Sequence, residues 1–593
     1  MRRVRPELDR MLAVVHPVPM CTPNNAFPAS FSDVEPAIGP AGQLVHPGAL
    51  EHLERIAPRF YTVGDRAWCV VGNGLSNQTF VEGPDGIIAI DSGDCNEEMA
   101  AAITQLRTVT DRPIVACIYT HFHYVDGTRA ILEEGHIGSD ELPIWGHERI
   151  AANRLRFGGE VAGRSRRGLV HQFGMLLPTE GPDALLHVGL GLYFSNPEHR
   201  PSTRGHLPVT NAVGDSLSTT IAGLAVEMTH APSDADDSMT IWFPELGLCV
   251  NNIVWPVLFN VFAIRGEEYR DPRTLLTGLD HVASLGAEHL VCTHGPPMSG
   301  TDLISGEVEN YRDSIQFLWD QTVRGANNGL TADELAETVQ LPSEFAESPI
   351  ARQFYGLAEH HVRQIHGGLF GWFDDDPLHL APLPRAERAL RLIEGFGGAA
   401  EVARQCDAAL AEEDLRWALE LASWLLAAEP SSEEGRQSTA AALRSIGQRT
   451  TSQNVRNWCL TKALELEGSL DLGRFYGLRI RVDEVLGASP EVFVGVMRVL
   501  LDPQRAEGRN EHLRMTFDDG TVTGLHMRRC VAVPTDGASA DIEVAISHAT
   551  WAQVLGGKQT LADAIEAGAV DVHGERERVE AFFGCFDHPS FDC

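Results

Sequence analysis

Four short apolar runs that each stop abruptly at histidine, carboxylate or amide residues constrain this chain more than any other feature. Residues 114–119 end at Thr120-His121-Phe122-His123-Tyr124-Val125-Asp126-Gly127. A second cluster is Met228-Thr229-His230-Ala231-Pro232-Ser233-Asp234, leading into the run Met239-Thr240-Ile241-Trp242-Phe243. Gly247-Leu248-Cys249-Val250-Asn251-Asn252 and Val291-Cys292-Thr293-His294-Gly295 complete the set. Short apolar runs bounded by turn residues read as buried strands. The spacing also predicts strands at 67–71, 78–81 and 87–90, the last ending at Asp91-Ser92-Gly93, then a helix at 97–106. Alternating strands and helices make an α/β fold, which places its chemistry on loops at strand ends.

Two histidines at i and i+2 beyond a strand end can aim both imidazoles at one ion, and a carboxylate three residues later reaches that ion or a neighbouring one. With 24 histidines in 593 residues an isolated His-x-His pair arises by chance, so the weight lies in four such clusters sharing one region. His230 and Tyr124 are extra ligand candidates, with packing beside the ion as the competing role.

The remaining chain is ordinary for a folded protein. There are 82 acidic against 47 basic side chains, a formal charge of −35, and no basic stripe, which argues against a nucleic-acid partner. No apolar run approaches the roughly 18 residues of a membrane span. The 11 cysteines form no Cys-x-x-Cys pair, and Cys69, Cys117 and Cys249 lie inside apolar strands, the usage of reduced thiols in a cytoplasmic protein. Met1-Arg2-Arg3 opens like a signal peptide, but the apolar stretch Met11 to Val15 is short, follows Glu7 and Asp9, and meets His16-Pro17. Residues 1–60 read as an extended arm and 61–310 as the α/β catalytic part. Helical texture follows over 311–468, including a helix across 407–428 and another opened by Ser432. Mixed α/β, with strands at 512–517, 522–525 and 542–547, fills 469–593.

The ligand order resembles the metallo-β-lactamase superfamily and, within it, the alkylsulfatases (type III sulfatases) over nearly the whole length. Gly371-Trp372-Phe373-Asp374-Asp375-Asp376-Pro377 and Asp414-Leu415-Arg416-Trp417-Ala418 are similar to that family's helical dimerisation domain. The stretch with Trp551, Gly556, Gly568 and Gly574 is similar to its sterol-carrier-like domain. The resemblance implies an αββα sandwich, then an all-α dimerisation domain, then a C-terminal α+β sterol-carrier-like domain, and a homodimer.

The departures from the family pattern bear on the chemistry. The superfamily's first motif is H-x-H-x-D-H. His121 and His123 match it, but Val125 and Asp126 stand where an Asp and a His are expected, or Asp126 is the Asp and the His is lost. The next ligand falls on Asp234, the bridging carboxylate on the amide Asn252, and the final histidine on His294. The segment Val254 to Gly266 matches the family's source of a catalytic histidine and sulfate-binding groups. Asn260 and Arg265 persist as substrate-binding candidates, whereas Pro256 and Phe259 occupy the histidine positions.

These matches imply a main site of His121, His123 and Asp234, and a second of Asp126, His294 and Asn252. Asp126, Tyr124 and Arg265 are the candidates for direct catalytic contact. Two imidazoles and a carboxylate suit a catalytic zinc with an open position, and equally an iron(II) triad. One or two divalent ions are expected, zinc first. The leading reading is hydrolysis of a sulfuric ester or a related small anionic ester, possibly one with an apolar chain. The alternative is a non-haem iron oxygenase or oxidase on the same scaffold, and a degenerate binding protein is the third.

Overall fold

The computed structural model describes residues 34–135 and 142–591. The start of the expected arm and the signal-like stretch lie outside the described residues. From residue 34 that segment is not extended throughout: Ala37–Ile38 pairs with Leu44–Val45, and Pro47–Arg55 is a helix with proline in its first turn and His46 capping it.

Two mixed sheets follow. In the first, Arg59–Val63, Ala67–Val71, Gln78–Gly83 and Gly86–Ile90 run antiparallel in sequence, and Ile114–Ile118, Ile144–His147 and Asn211–Val213 continue it in parallel. The second orders Ser216–Ile221, Leu224–His230, Met239–Phe243, Leu248–Asn251, His289–Cys292 and Met298–Ser299, with the pair Leu248–Asn251 and His289–Cys292 parallel. Sequence pattern explains the layers. Ala67–Val71 and Gly86–Ile90 are buried at every position, as strands covered on both faces must be. Leu224–His230 alternates, with Leu224, Val226 and Met228 buried and Ala225 and Glu227 exposed.

Cys69, Ile88 and Ile118 of one sheet meet Val226, Ile241 and Val291 of the other in a single core cluster. Outside them, helix Asn96–Leu106 packs on the first sheet, and helix Pro272–Ser284 sets Leu275 and Leu279 into the cluster with Leu290 of the second. This is the expected αββα sandwich. Parallel pairing brings the ends of Gly86–Ile90 and Ile114–Ile118 to one side, and those of Leu248–Asn251 and His289–Cys292 likewise. The sheets are stitched there by Met239 N–H donating to the Thr120 carbonyl at 2.9 Å.

Beyond Thr301–Asn327 the chain is helical through Gln453–Leu466. The helix expected across 407–428 is two, Ala399–Ala411 and Leu415–Ala428. Glu413 sits at φ 60° and the Asp414 side chain caps the second helix, a break made by acidic residues without the glycine or proline that ordinarily marks one. Ser432 caps Glu433–Arg449 as expected, accepting from Gly435 N–H.

Residues 151–168 with 472–593 form a separate compact unit. Its five strands order Val531–Thr535, Val522–Arg528, Asn510–Phe517, Ile542–Ile546 and Val570–His573, over a core containing Trp551, Phe582 and Phe586. Among the described residues no helix is long and apolar enough to cross a membrane.

Candidate metal centre

Past the end of Ile114–Ile118 the chain turns sharply and presents His121 and His123, while the turn after Leu224–His230 supplies Asp234. His121 Nε2 lies 3.1 Å from His123 Nδ1, and His123 Nδ1 lies 3.1 Å from Asp234 Oδ2. His121 Nε2 is 3.7 Å from Asp234 Oδ1. One ligand atom from each of the three residues falls within 4.8 Å of the others, a spacing that a single ion can bridge. The donor set fits a divalent cation in charge as well. Burial pushes His121 down to about 3, leaving a neutral imidazole with a lone pair to give. Burial opposes ionisation of Asp234, but His121, His123 and Arg270 together outweigh it and hold the carboxyl well below the usual range.

The histidine is oriented from behind. Thr120 Oγ1 donates to Asp91 Oδ2 at 2.7 Å, so at 2.9 Å it accepts from His121 Nδ1–H and leaves Nε2 bare toward Asp234. Thr120 N–H also donates to Asp91 Oδ1 at 2.8 Å. Asp91 holds a left-handed backbone angle, φ 57°, and burial raises its carboxyl to about 7. Its place in this relay was missed in the sequence, where Asp91-Ser92-Gly93 registers only as a strand end.

The other expected residues take varied places. Asn252 is a donor to the cluster: its Nδ2 bonds Asp234 Oδ1 at 2.5 Å, with Ser233 and Ser238 hydroxyls each at 3.1 Å. His294 donates from Nδ1 to the Leu75 carbonyl at 2.9 Å, which leaves Nε2 facing the Tyr124 hydroxyl at 3.5 Å. Asp126 is not in the three-residue group. Its Oδ2 lies 3.6 Å from Arg204 Nε, and its charge acts on the buried carboxyl of Asp94. His230 stacks on His147, 4.2 Å between ring centroids, with Nε2 at 2.6 Å from the Asp236 carbonyl.

The arginine segment also differs from expectation. Arg265 is buried and forms an ion pair with Glu267, 2.5 Å from Nη2 to Oε1 and 2.7 Å from Nε. Asn260 places Oδ1 3.2 Å from His361 Nε2 on the helix Ala358–Phe370. Phe259 packs on Trp255 at 4.4 Å, and Trp255 meets His294 edge-on at 5.6 Å, so aromatic rings wall this side. Three residues here carry no chemical signal in the sequence. Glu267 and Arg270 stand just past the segment that ends at Gly266, and His361 lies about a hundred positions away.

Comparison with known proteins follows the same lines. Residues 331–469 match the family model described as alkyl sulfatase dimerisation, and residues 481–592 match alkyl sulfatase C-terminal. The chain is 32% identical over 522 residues to a linear primary-alkylsulfatase of Pseudomonas sp., covering 86% of this chain and 98% of that one. It is 26% identical over 554 residues to an alkyl/aryl-sulfatase of Saccharomyces cerevisiae, covering 89% of this chain and 82% of that one. In fold it is similar to the stereoselective inverting sec-alkylsulfatase Pisa1 from Pseudomonas sp., with TM-score 0.79, 24% identity, and coverage of 96% and 93% of the two chains. These relatives are sulfatases, and they give the oxidative alternative no support.

Proposed function

The chain belongs to the alkylsulfatase family, and we propose that it hydrolyses sulfuric esters of alkyl alcohols at the centre made by His121, His123 and Asp234. The observation that carries this reading is the convergence of those three ligand atoms in a chain so similar to a primary-alkylsulfatase along its length. The reaction consumes one water and yields the alcohol and hydrogen sulfate.

A divalent ion held there, zinc in our reading, supplies Lewis-acid activation of water at neutral pH. The protein's own groups do the rest. Asp234 offsets positive charge, and Thr120 fixes the tautomer of His121. Buried Val254, Trp255 and Phe259 exclude bulk water, which strengthens every charge interaction inside. Asn252 serves as a donor to Asp234 and provides no second carboxylate, so we expect about one ion per chain. Pro256 and Phe259 have no proton to give, so the departing alcohol takes its proton from elsewhere.

Sulfate release from octyl sulfate, measured with and without chelator and alongside elemental analysis, tests this directly. The expected result is turnover that chelator abolishes and zinc restores. Turnover indifferent to chelator would remove the metal from the reading, and no turnover of any alkyl sulfate would remove the hydrolase.

The helical region supports a homodimer. Phe370, Trp372, Leu378, Leu380 and Leu390 are exposed, Trp372 at 76% and Leu380 at 68%, within or beside the segment matched as a dimerisation domain. Trp372→Asp combined with Leu380→Asp is expected to give a monomer by light scattering. The nine described cysteines are free thiols, which supports a reducing, cytoplasmic compartment.

A further inference from the structure

The chain carries a formal charge of −35, yet one face of the unit formed by residues 151–168 and 472–593 is basic. Residues 151–168 and 472–487 hold eight arginines against three acidic side chains. Neither segment reads as a basic run by itself, and Arg166 and Arg479 stand 313 positions apart. Folding joins them. Arg166 donates to the Arg479 carbonyl and holds the Glu484 carboxylate at 2.6 and 2.7 Å. The Arg167 guanidinium lies 4.6 Å from the centre of the Tyr476 ring. Gly163 permits the approach, because a Cβ there would collide with the Gly477 carbonyl.

The three acids do not cancel this charge. Glu484 is taken by Arg166 and Asp483 by Arg481, while Glu160 pairs with Arg498. Arg164, Arg474 and Arg479 are exposed, so the surplus faces water. Apolar groups are set among them: Val161, Tyr476, Leu486 and Val499 are each about half exposed. Guanidiniums by themselves suit any polyanion. Exposed valine and leucine between them gain nothing against a sugar-phosphate backbone, but they do gain where acyl chains begin beneath a charged headgroup layer.

We propose that this face docks the chain on a bilayer of acidic phospholipids, with the arginines against the headgroups and Val161, Tyr476 and Leu486 at the acyl boundary. The acidic remainder of the surface is repelled, which sets the orientation. That repulsion is screened beyond about 8 Å at physiological salt, whereas arginines in contact with headgroups are not screened. The docking rests on this face alone and is independent of the chemistry at the metal centre.

The test is co-sedimentation of the full chain with vesicles of phosphatidylcholine and phosphatidylserine at about three to one, against phosphatidylcholine alone. Binding to the mixed vesicles only, weakening steeply with salt, is the expected result. Arg474→Glu combined with Arg479→Glu is expected to weaken it about a hundredfold or more, since each charge near such a surface counts about fivefold and a reversal counts twice. Val161→Ser combined with Leu486→Ser is expected to weaken it a few-fold at every salt concentration. Neither pair lies at the metal centre, so metal content and octyl sulfate turnover in solution should match the wild type.

Equal binding to both vesicles, or binding untouched by the arginine reversals, overturns the proposal. Duplex DNA held as tightly as the mixed vesicles, with the serine pair without effect, would make this a polyanion face and overturn it as well. Failure of the hydrolase reading leaves vesicle binding as it is, because no ester enters the assay. Should the double reversal not fold, Arg164→Glu and the salt dependence of the wild type decide the matter.

Discussion

The histidine loop 120–126 and the arginine loop 254–270 border the same centre, yet the first is held by its own hydrogen bonds and the second carries orphaned donors. His121 is gripped from behind by Thr120 and Asp91, and Asp234 is gripped by Asn252. In the other loop Arg270 and Asn260 have nitrogens with no partner among the described residues, and Arg265 is paired with Glu267. A small cation needs donors held rigidly before it arrives, because its coordination geometry tolerates little error. The difference teaches that one loop is fixed by contacts within the chain, whereas the other keeps buried donors that those contacts do not fill.

The largest effect should come from breaking the first loop at a ligand. Asp234→Ala removes the carboxylate and leaves two buried imidazoles, and sulfate-ester turnover should fall by more than about a hundredfold, the loss that follows even from disturbing outer partners. Metal content of the purified variant should fall with it; full turnover at undiminished metal content would contradict the assignment. Thr120→Val is milder. It keeps the shape but deprives His121 Nδ1 of its acceptor, and metal affinity should weaken by about ten- to a hundredfold, measured by competition with a chelating dye.

Asn252→Asp sharpens the comparison by adding a ligand where the chain has a donor. A second carboxylate would stand where an amide now bonds Asp234 at 2.5 Å. Two carboxylates that close cannot both ionise in the metal-free protein. The variant should therefore melt several degrees lower in chelator, recover in zinc, and carry more metal per chain than wild type. Unchanged melting in chelator would mean that the amide is not the donor its contacts indicate.

How much of this was legible in the chain depends on the range of the interactions. The strands and their polar ends, with His121, His123 and Asp234 among them, follow from local pattern; parallel pairing brings the strand end before His121 to one side, whereas Asp234 follows a strand paired antiparallel on both sides, so that their convergence is set by the fold. Asp91 was invisible as a partner because its bond to Thr120 crosses between neighbouring strands. Arg265 and Arg270 are indistinguishable as letters; only the position of Glu267 decides which guanidinium is spent. His361 comes from a helix about a hundred residues on, a distance no spacing rule spans. The helix break at Glu413 escaped for the opposite reason: the apolar period continues through it, and a side-chain cap ends the turn.

The smallest effect distinguishes the two loops by pH. Burial is the first cause that lowers His121 and His361 to about 3, and His294 and His187 to about 4. Unfolded, each takes a proton near 6.5, so as pH falls below 6.5 the unfolded chain gains protons that the native state refuses, and stability is lost progressively down to about 4. Asp91 and Glu98, raised by burial to about 7, act with the opposite sign, because the native state holds a proton that the unfolded chain releases above the ordinary carboxylate range. The lowered histidines, which also include His52 and His147, outnumber the raised acids, which also include Asp94, and the net loss between pH 6.5 and 4.5 should be a few kcal/mol, because each tenfold difference in proton affinity between the two states is worth about 1.4 kcal/mol. Melting temperature across that interval reads it. Zinc should flatten the histidine-loop share, since an ion on His121 competes with its proton, and should leave the His361 share in place. If zinc leaves the profile unchanged, His121 is not among the ion's ligands.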